Sequence, residues 1–116
     1  MFTAYVVITI TTIVATAYAA GAEFFRAGFV LNNMAEVHVD EAWLRSLGAL
    51  KAAGAIGLLV GLVKVQPLGT AAAIGLVLFF AGALITHVRA RVFYNIAFPG
   101  IFFALAVASL VLSATR

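Results

Sequence analysis

The chain reads as four long apolar runs separated by short polar punctuation. About 20 consecutive apolar residues are needed to cross the hydrocarbon core of a bilayer as a helix, and four stretches qualify, about 2–22, 44–63, 68–88 and 92–114. Non-helical backbone facing lipid would leave its amides without partners, so these runs are predicted to be α-helices. Lys64-Val65-Gln66-Pro67 and Arg89-Ala90-Arg91, which separate the last three runs, are long enough only to turn the chain. They make runs two and three, and then three and four, antiparallel neighbours. Pro67 stands where a helix begins and a missing N–H costs nothing. Asp40 is a candidate cap for the second run, and Trp43 suits the membrane interface.

The connection from Glu23 to about Asp40 is longer and mixed. It mixes Phe24, Phe25, Phe29, Val30 and Leu31 with Asn32, Asn33, Glu36 and His38, so it is expected to lie along the interface or dip back into the mouth of the bundle. Val37-His38-Val39-Asp40 alternates like a strand, although four residues are too few to decide between strand and helix. The predicted fold is an all-α membrane protein. It is an antiparallel four-transmembrane-helix bundle, one domain over 1–116, with a longer interfacial connection between its first two helices.

Composition agrees with this pattern. Hydrophobic residues make up 66% of the sequence and charged residues 9%, against roughly 25% charged in soluble domains. A water-soluble chain of this size keeps about 40% of its unfolded surface exposed, and the polar residues to cover it are lacking. The lipid bilayer is therefore the first expected partner. The net charge of +3 spreads over both membrane faces and makes no case for nucleic acid. The sequence has no cysteine and only His38 and His87 as histidines, so neither thiol chemistry nor a metal site is expected. Ala17-Tyr18-Ala19 resembles a signal-peptide cleavage site, but no Lys or Arg precedes the apolar run, and the first run is taken as a retained span.

Antiparallel threading gathers the ionisable groups. The end of the first helix, the start of the second, the end of the third and the start of the fourth share one membrane face. Glu23, Arg26, Lys51, His87, Arg89, Arg91, Tyr94 and Asn95 therefore meet at one pole, whereas the other offers Lys64, Gln66, Arg116 and the amino terminus. Counting Lys and Arg places the polar pole in the cytoplasm, but setting aside the candidate site residues reduces that count to a tie.

Lys51 lies within a span, in "LGALKAAGAIGLLVGL". At about 100° per residue, Gly54, Gly57 and Gly61 fall within a sector of roughly 60°, and Lys51 borders it by about 60°. Such a seam lets another backbone approach closely, so Lys51 is expected to point toward protein. The alternative is snorkelling, since the headgroups lie only about 10 Å away along the axis. An ionisable group within a span is costly and raises a functional hypothesis.

Glu23 and Arg26 share a helix face and are a candidate ion pair. Glu23 is equally a candidate to face Lys51 or His87 across the bundle, where pairing would keep both partners charged. His87 is the group whose charge changes most easily near neutral pH. Arg89 and Arg91 are candidates for lipid phosphates as well as for a ligand. Pro99 is expected to kink the fourth helix by removing the donor to the Asn95 carbonyl. Phe98, Phe102 and Phe103 would fill the core, face lipid, or wall an apolar ligand tail.

The sequence resembles the DoxX-like family of small four-span membrane proteins, from about Tyr18 to Leu112. The likeness rests on Ala20-Gly21, "LGALKAAGAIGLLVGL", Pro67, and "AGALITHVRAR" followed by Pro99. It implies a four-helix bundle in a prokaryotic plasma membrane. The family takes its name from a subunit linked to thiosulfate and quinone oxidoreduction, and relatives serve as partners in membrane redox or assembly complexes. Lys51, His87 and Arg89 match the family's polar positions, and Glu23 matches less well.

Three functions follow as expectations. In the first, the protein binds a lipophilic, quinone-like molecule, with Lys51, Arg89, Asn95 and Arg26 as ligand-binding residues and Glu23 or His87 exchanging protons, as a subunit or partner in a membrane redox complex. In the second, it is an acid–base enzyme, an isomerase or hydrolase of a lipophilic substrate, with Glu23 or His87 as proton carrier and Lys51 stabilising negative charge. In the third, it is a structural or assembly partner of other membrane proteins, with Gly57-x-x-x-Gly61 as a docking seam. A homo-oligomer is compatible with each.

Overall fold

The computed structural model describes residues 2–25, 27–94 and 96–115. Its helices in chain order are α1 (Phe2–Phe24), α2 (Gly28–Glu36), α3 (Leu44–Val63), α4 (Gln66–Arg89) and α5 (Ala97–Thr115). All but α2 are long and apolar enough to cross a membrane. At 1.5 Å per residue they measure about 28–36 Å, matching a hydrocarbon core of about 30 Å, and the molecule is 39 Å along its longest axis. Each span packs against two others, in the cyclic order α1, α3, α4, α5 and back to α1. This is an antiparallel up-and-down bundle, so the chain is a multi-pass membrane protein.

Lipid tails are as apolar as leucine, so the spans associate through close packing rather than through hydrophobic burial. The α3–α4 seam has a graded fit. A Cβ on Gly61 would strike the backbone of Gly69, one on Gly57 would come within 2.7 Å of the Ala72 Cβ, and one on Gly54 would meet the side chain of Leu76 at 2.6 Å. The nearest atoms pass from backbone to Cβ to side-chain tip, so the two helices are pinched at the Gly61–Gly69 end and diverge toward the Lys51 end. Gly57-x-x-x-Gly61 thus serves packing within one chain. Leu58, Ala73, Leu76, Phe80 and Ala106 fill the centre, where Phe80 and Phe102 stack at 5.1 Å between ring centroids.

Two elements differ from the sequence expectation. The last span starts at Ala97, not near 92, and Pro99 lies in its first turn. There the missing N–H would have had no helical partner, so Pro99 begins the helix and does not kink it. The long connection holds the nine-residue helix α2, and Val37–Asp40 is not a strand. After α2, His38 takes a left-handed φ of 62°, with His38 N–H bonded to Ala35 O and Val39 N–H to Met34 O. Arg91 repeats this after α4, with φ 57° and with Arg91 N–H to Val88 O and Val92 N–H to His87 O. Both are Schellman caps, built here without glycine. Asp40 accepts a bond from the Ala42 N–H at 2.9 Å and caps the short 3₁₀ turn Glu41–Trp43 that leads into α3.

The interior of the bundle contains hydroxyls to which the sequence assigned no role. Tyr5, Thr9, Thr12, Thr16, Ala20 and Glu23 are buried at spacings of three and four, so one face of α1 turns inward along its whole length. Thr12 Oγ1 lies 2.9 Å from Ser109 Oγ of α5, and Thr70 Oγ1 lies 2.6 Å from Ser113 Oγ. Gln66 donates to the Ser113 carbonyl at 2.8 Å. Thr9 Oγ1 and Thr16 Oγ1 are buried without a hydrogen-bond partner among the described residues.

Candidate functional site

Where α3 and α4 diverge, a cavity of about 1070 Å³ opens among the spans, with α2 across it. Its volume is slightly above the roughly 300–1,000 Å³ typical of small-molecule sites. Aromatic side chains from four helices wall it, among them Tyr18, Phe29, Phe79, Phe80, Phe98 and Phe102.

Glu23, Lys51 and His87 all line this cavity. Glu23 arrives on the last turn of α1, the position its inward face dictates, and is 5% exposed. Lys51 comes from the third turn of α3 beside the glycine seam. Its ammonium pairs with Glu23 Oε1 and sits 5.2 Å from the centroid of Phe79 and 6.0 Å from that of Phe80, where the electron-rich ring faces attract a cation. Lys51 therefore turns inward and does not snorkel. The second carboxylate oxygen, Glu23 Oε2, is buried with no hydrogen-bond partner among the described residues. It abuts Gly48 of α3, on which a Cβ would lie 3.4 Å away.

His87 is buried on the last turn of α4. Its Nδ1 lies 2.9 Å from the Ala83 carbonyl, which can only accept, so Nδ1 carries a hydrogen. Nε2 faces the side-chain amide of Asn33 of α2, 3.2 Å from Oδ1. An amide serves both states of the ring: its NH₂ donates to a neutral Nε2, and its oxygen accepts from a protonated one. A second tie runs from the turn after α4, where the Tyr94 hydroxyl donates to both carboxylate oxygens of Glu36 at 2.6 Å. That bond raises the Tyr94 pKa, because the carboxylate stabilises the phenol over the phenolate. With Met34 and Val37 buried, α2 is held over the cavity by two polar ties and two apolar anchors.

Of the residues the sequence places at the polar pole, Glu23, Lys51, His87 and Tyr94 line this cavity. Arg89 is exposed at the end of α4 and does not line the cavity. Arg26 and Asn95 lie outside the described residues, as does any pairing of Arg26 with Glu23. The sequence reading assigned no role to Asn33 or Glu36. Their spacing of three within a mostly apolar segment was the available signal, since it sets both on one side of a helix.

No curated protein and no solved structure matches this sequence. The model of the DoxX-like family matches residues 7–109, nearly the whole span of the bundle, and the chain belongs to that family.

Proposed function

We propose that this protein binds a lipophilic molecule in the cavity, its polar head at Glu23, Lys51 and His87 and its apolar part along the aromatic wall. One observation carries the reading: the ionisable side chains drawn into the spans line a single cavity whose other walls are mostly apolar. Ionisable groups within spans are costly and mark ligand or ion sites, and a few convergent polar groups in an apolar cavity fit a small amphiphile.

The protein acts on this reading as a subunit or partner in a membrane redox complex of a prokaryotic plasma membrane. A quinone-like head suits the donor set, because the Lys51 ammonium can donate to a carbonyl oxygen and His87 Nε2 can exchange a proton at the cavity wall. Such a group, when bound, would supply the electron chemistry. Glu23 and His87 would hold or accept protons, and α2 would keep water out.

A second reading, acid–base catalysis on a lipophilic substrate, draws support from the imidazole: Nδ1 is committed to Ala83 O, so Nε2 alone is left to carry a proton. Glu23 would then act beside it, and Lys51 would stabilise developing negative charge.

The test is extraction of the protein from native membranes in mild detergent, followed by mass spectrometry of its organic-solvent extract. One small lipophilic species enriched over the parent membrane is the expected result. An extract with the same composition as the bulk lipid would overturn the proposal.

A further inference from the structure

Resting on that reading, we infer that the ligand's head is an uncharged hydroxyl, an alcohol or a phenol, held by Glu23 and Lys51 together. The donors and acceptors of the ion pair are not all used. An ammonium carries three N–H groups, and among the described residues Glu23 is the one hydrogen-bond acceptor of Lys51. A carboxylate has two accepting oxygens, and Glu23 Oε2 has no donor among the described residues although it is buried. The pair therefore keeps one unspent donor side, on Lys51, and one unspent acceptor, the Glu23 oxygen turned against Gly48. A hydroxyl is both donor and acceptor at a single atom, so it answers both: its O–H bonds to the carboxylate while its oxygen accepts from the ammonium.

Other heads answer half of this. A ketone or an ether, the oxidised quinone included, can accept from Lys51 but leaves the carboxylate oxygen orphaned, so of a quinone and its quinol the pair suits the hydroxyl-bearing quinol. A carboxylate head competes with Glu23 for Lys51, and an ammonium head competes with Lys51 for Glu23. Either adds a net charge to a low-dielectric site in which the pair is already neutral. The carboxyl group of Glu23 turns easily about its terminal bond, so either oxygen can present itself to the guest. The aromatic wall accepts an alkyl chain or an arene equally, and for that reason the head is assigned and the body is not.

The experiment uses the full chain in phosphatidylcholine nanodiscs, whose lipid carries no hydroxyl, with empty nanodiscs as the blank. The probes are 1-hexadecanol and its methyl ether, 4-dodecylphenol and its methyl ether, palmitate, and hexadecylamine. Retention above the blank is read by native mass spectrometry. At least one hydroxyl probe is expected to be held about tenfold or more better than its ether, the range of a hydrogen bond to a charged group, and better than palmitate and the amine. Preference for the alcohol, the phenol or both supports the assignment and identifies the body of the ligand. The double substitution Glu23→Leu with Lys51→Met removes the whole pair, leaves no lone charge, and should erase the preference while keeping the chain bound.

Equal retention of hydroxyl and ether by the unaltered protein overturns the head assignment and leaves the lipophilic cavity standing. Stronger retention of palmitate or the amine overturns it as well, and so does a preference that survives in the double variant. Retention of no probe above the blank removes both this inference and the reading beneath it.

Discussion

The ammonium of Lys51 and the carboxylate of Glu23 meet inside the bundle, one from the third turn of α3 and the other from the last turn of α1. Each charge reaches that position because the other is there. Removing one partner leaves a lone buried charge, while removing both leaves an apolar contact, and the two kinds of variant separate sharply. Lys51→Met alone should destabilise the protein by about 3 kcal/mol, whereas Lys51→Met combined with Glu23→Leu should unfold close to the unaltered protein. Melting in nanodiscs, followed by circular dichroism, checks this. Equal melting temperatures for single and double variants would contradict the inward geometry of Lys51.

The glycine seam gives a position-specific prediction. Gly61→Ala places a Cβ against the backbone of Gly69, which cannot rotate away, and should cost about 1–3 kcal/mol. Gly75→Ala meets nothing within 4 Å and should be neutral or gain up to about 1 kcal/mol from helix propensity. Chemical-denaturant titration of both variants provides the comparison, and a stable Gly61→Ala would refute the close approach of α3 and α4.

Buried hydroxyls should separate by whether they are partnered. Thr12 shares a hydrogen bond with Ser109, so Thr12→Val should cost about 0.5–1.5 kcal/mol. Thr16 Oγ1 lacks a partner among the described residues, and Thr16→Val, nearly the same shape, should be neutral or stabilising. The same unfolding assay distinguishes them by the sign of the change.

The tie between Tyr94 and Glu36 should respond to alkali. Because the carboxylate raises the Tyr94 pKa, its contribution to holding α2 is fully present below the ordinary tyrosine value of about 10. It is lost as pH rises through the higher value in the folded protein. Hydrogen exchange in α2 should quicken over that alkaline window, and Tyr94→Phe should show the quickened rate already at neutral pH. An unaltered exchange rate in Tyr94→Phe would mean that the tie does not restrain α2.

Much of the fold was legible because lipid imposes few solutions. Apolar runs of span length with two short turns between them permit little besides an antiparallel bundle, and the glycines of α3 declared its packed face. The start of α5 was not legible from hydropathy. Val92, Phe93 and Ile96 are as apolar as the residues that follow, and it is the preference of Pro99 for a first turn that moves the start to Ala97. Convergence of Glu23, Lys51 and His87 followed from threading alone. Asn33 and Glu36 could not be assigned, because their partners His87 and Tyr94 depend on how α2 folds back, and a segment of mixed polarity does not encode that path. The inward threonines of α1 were hidden by composition, since a hydroxyl that bonds within the bundle looks in sequence like one more small residue.

The contact of Gly61 with Gly69 is a fulcrum. Lys51 rides on α3 about 15 Å from that joint, so a change of about 5° in the crossing of the two helices carries it about 1.3 Å while the joint itself stays closed. On the proposed binding role, guests of different girth would be admitted by leverage at the Lys51 end of the bundle.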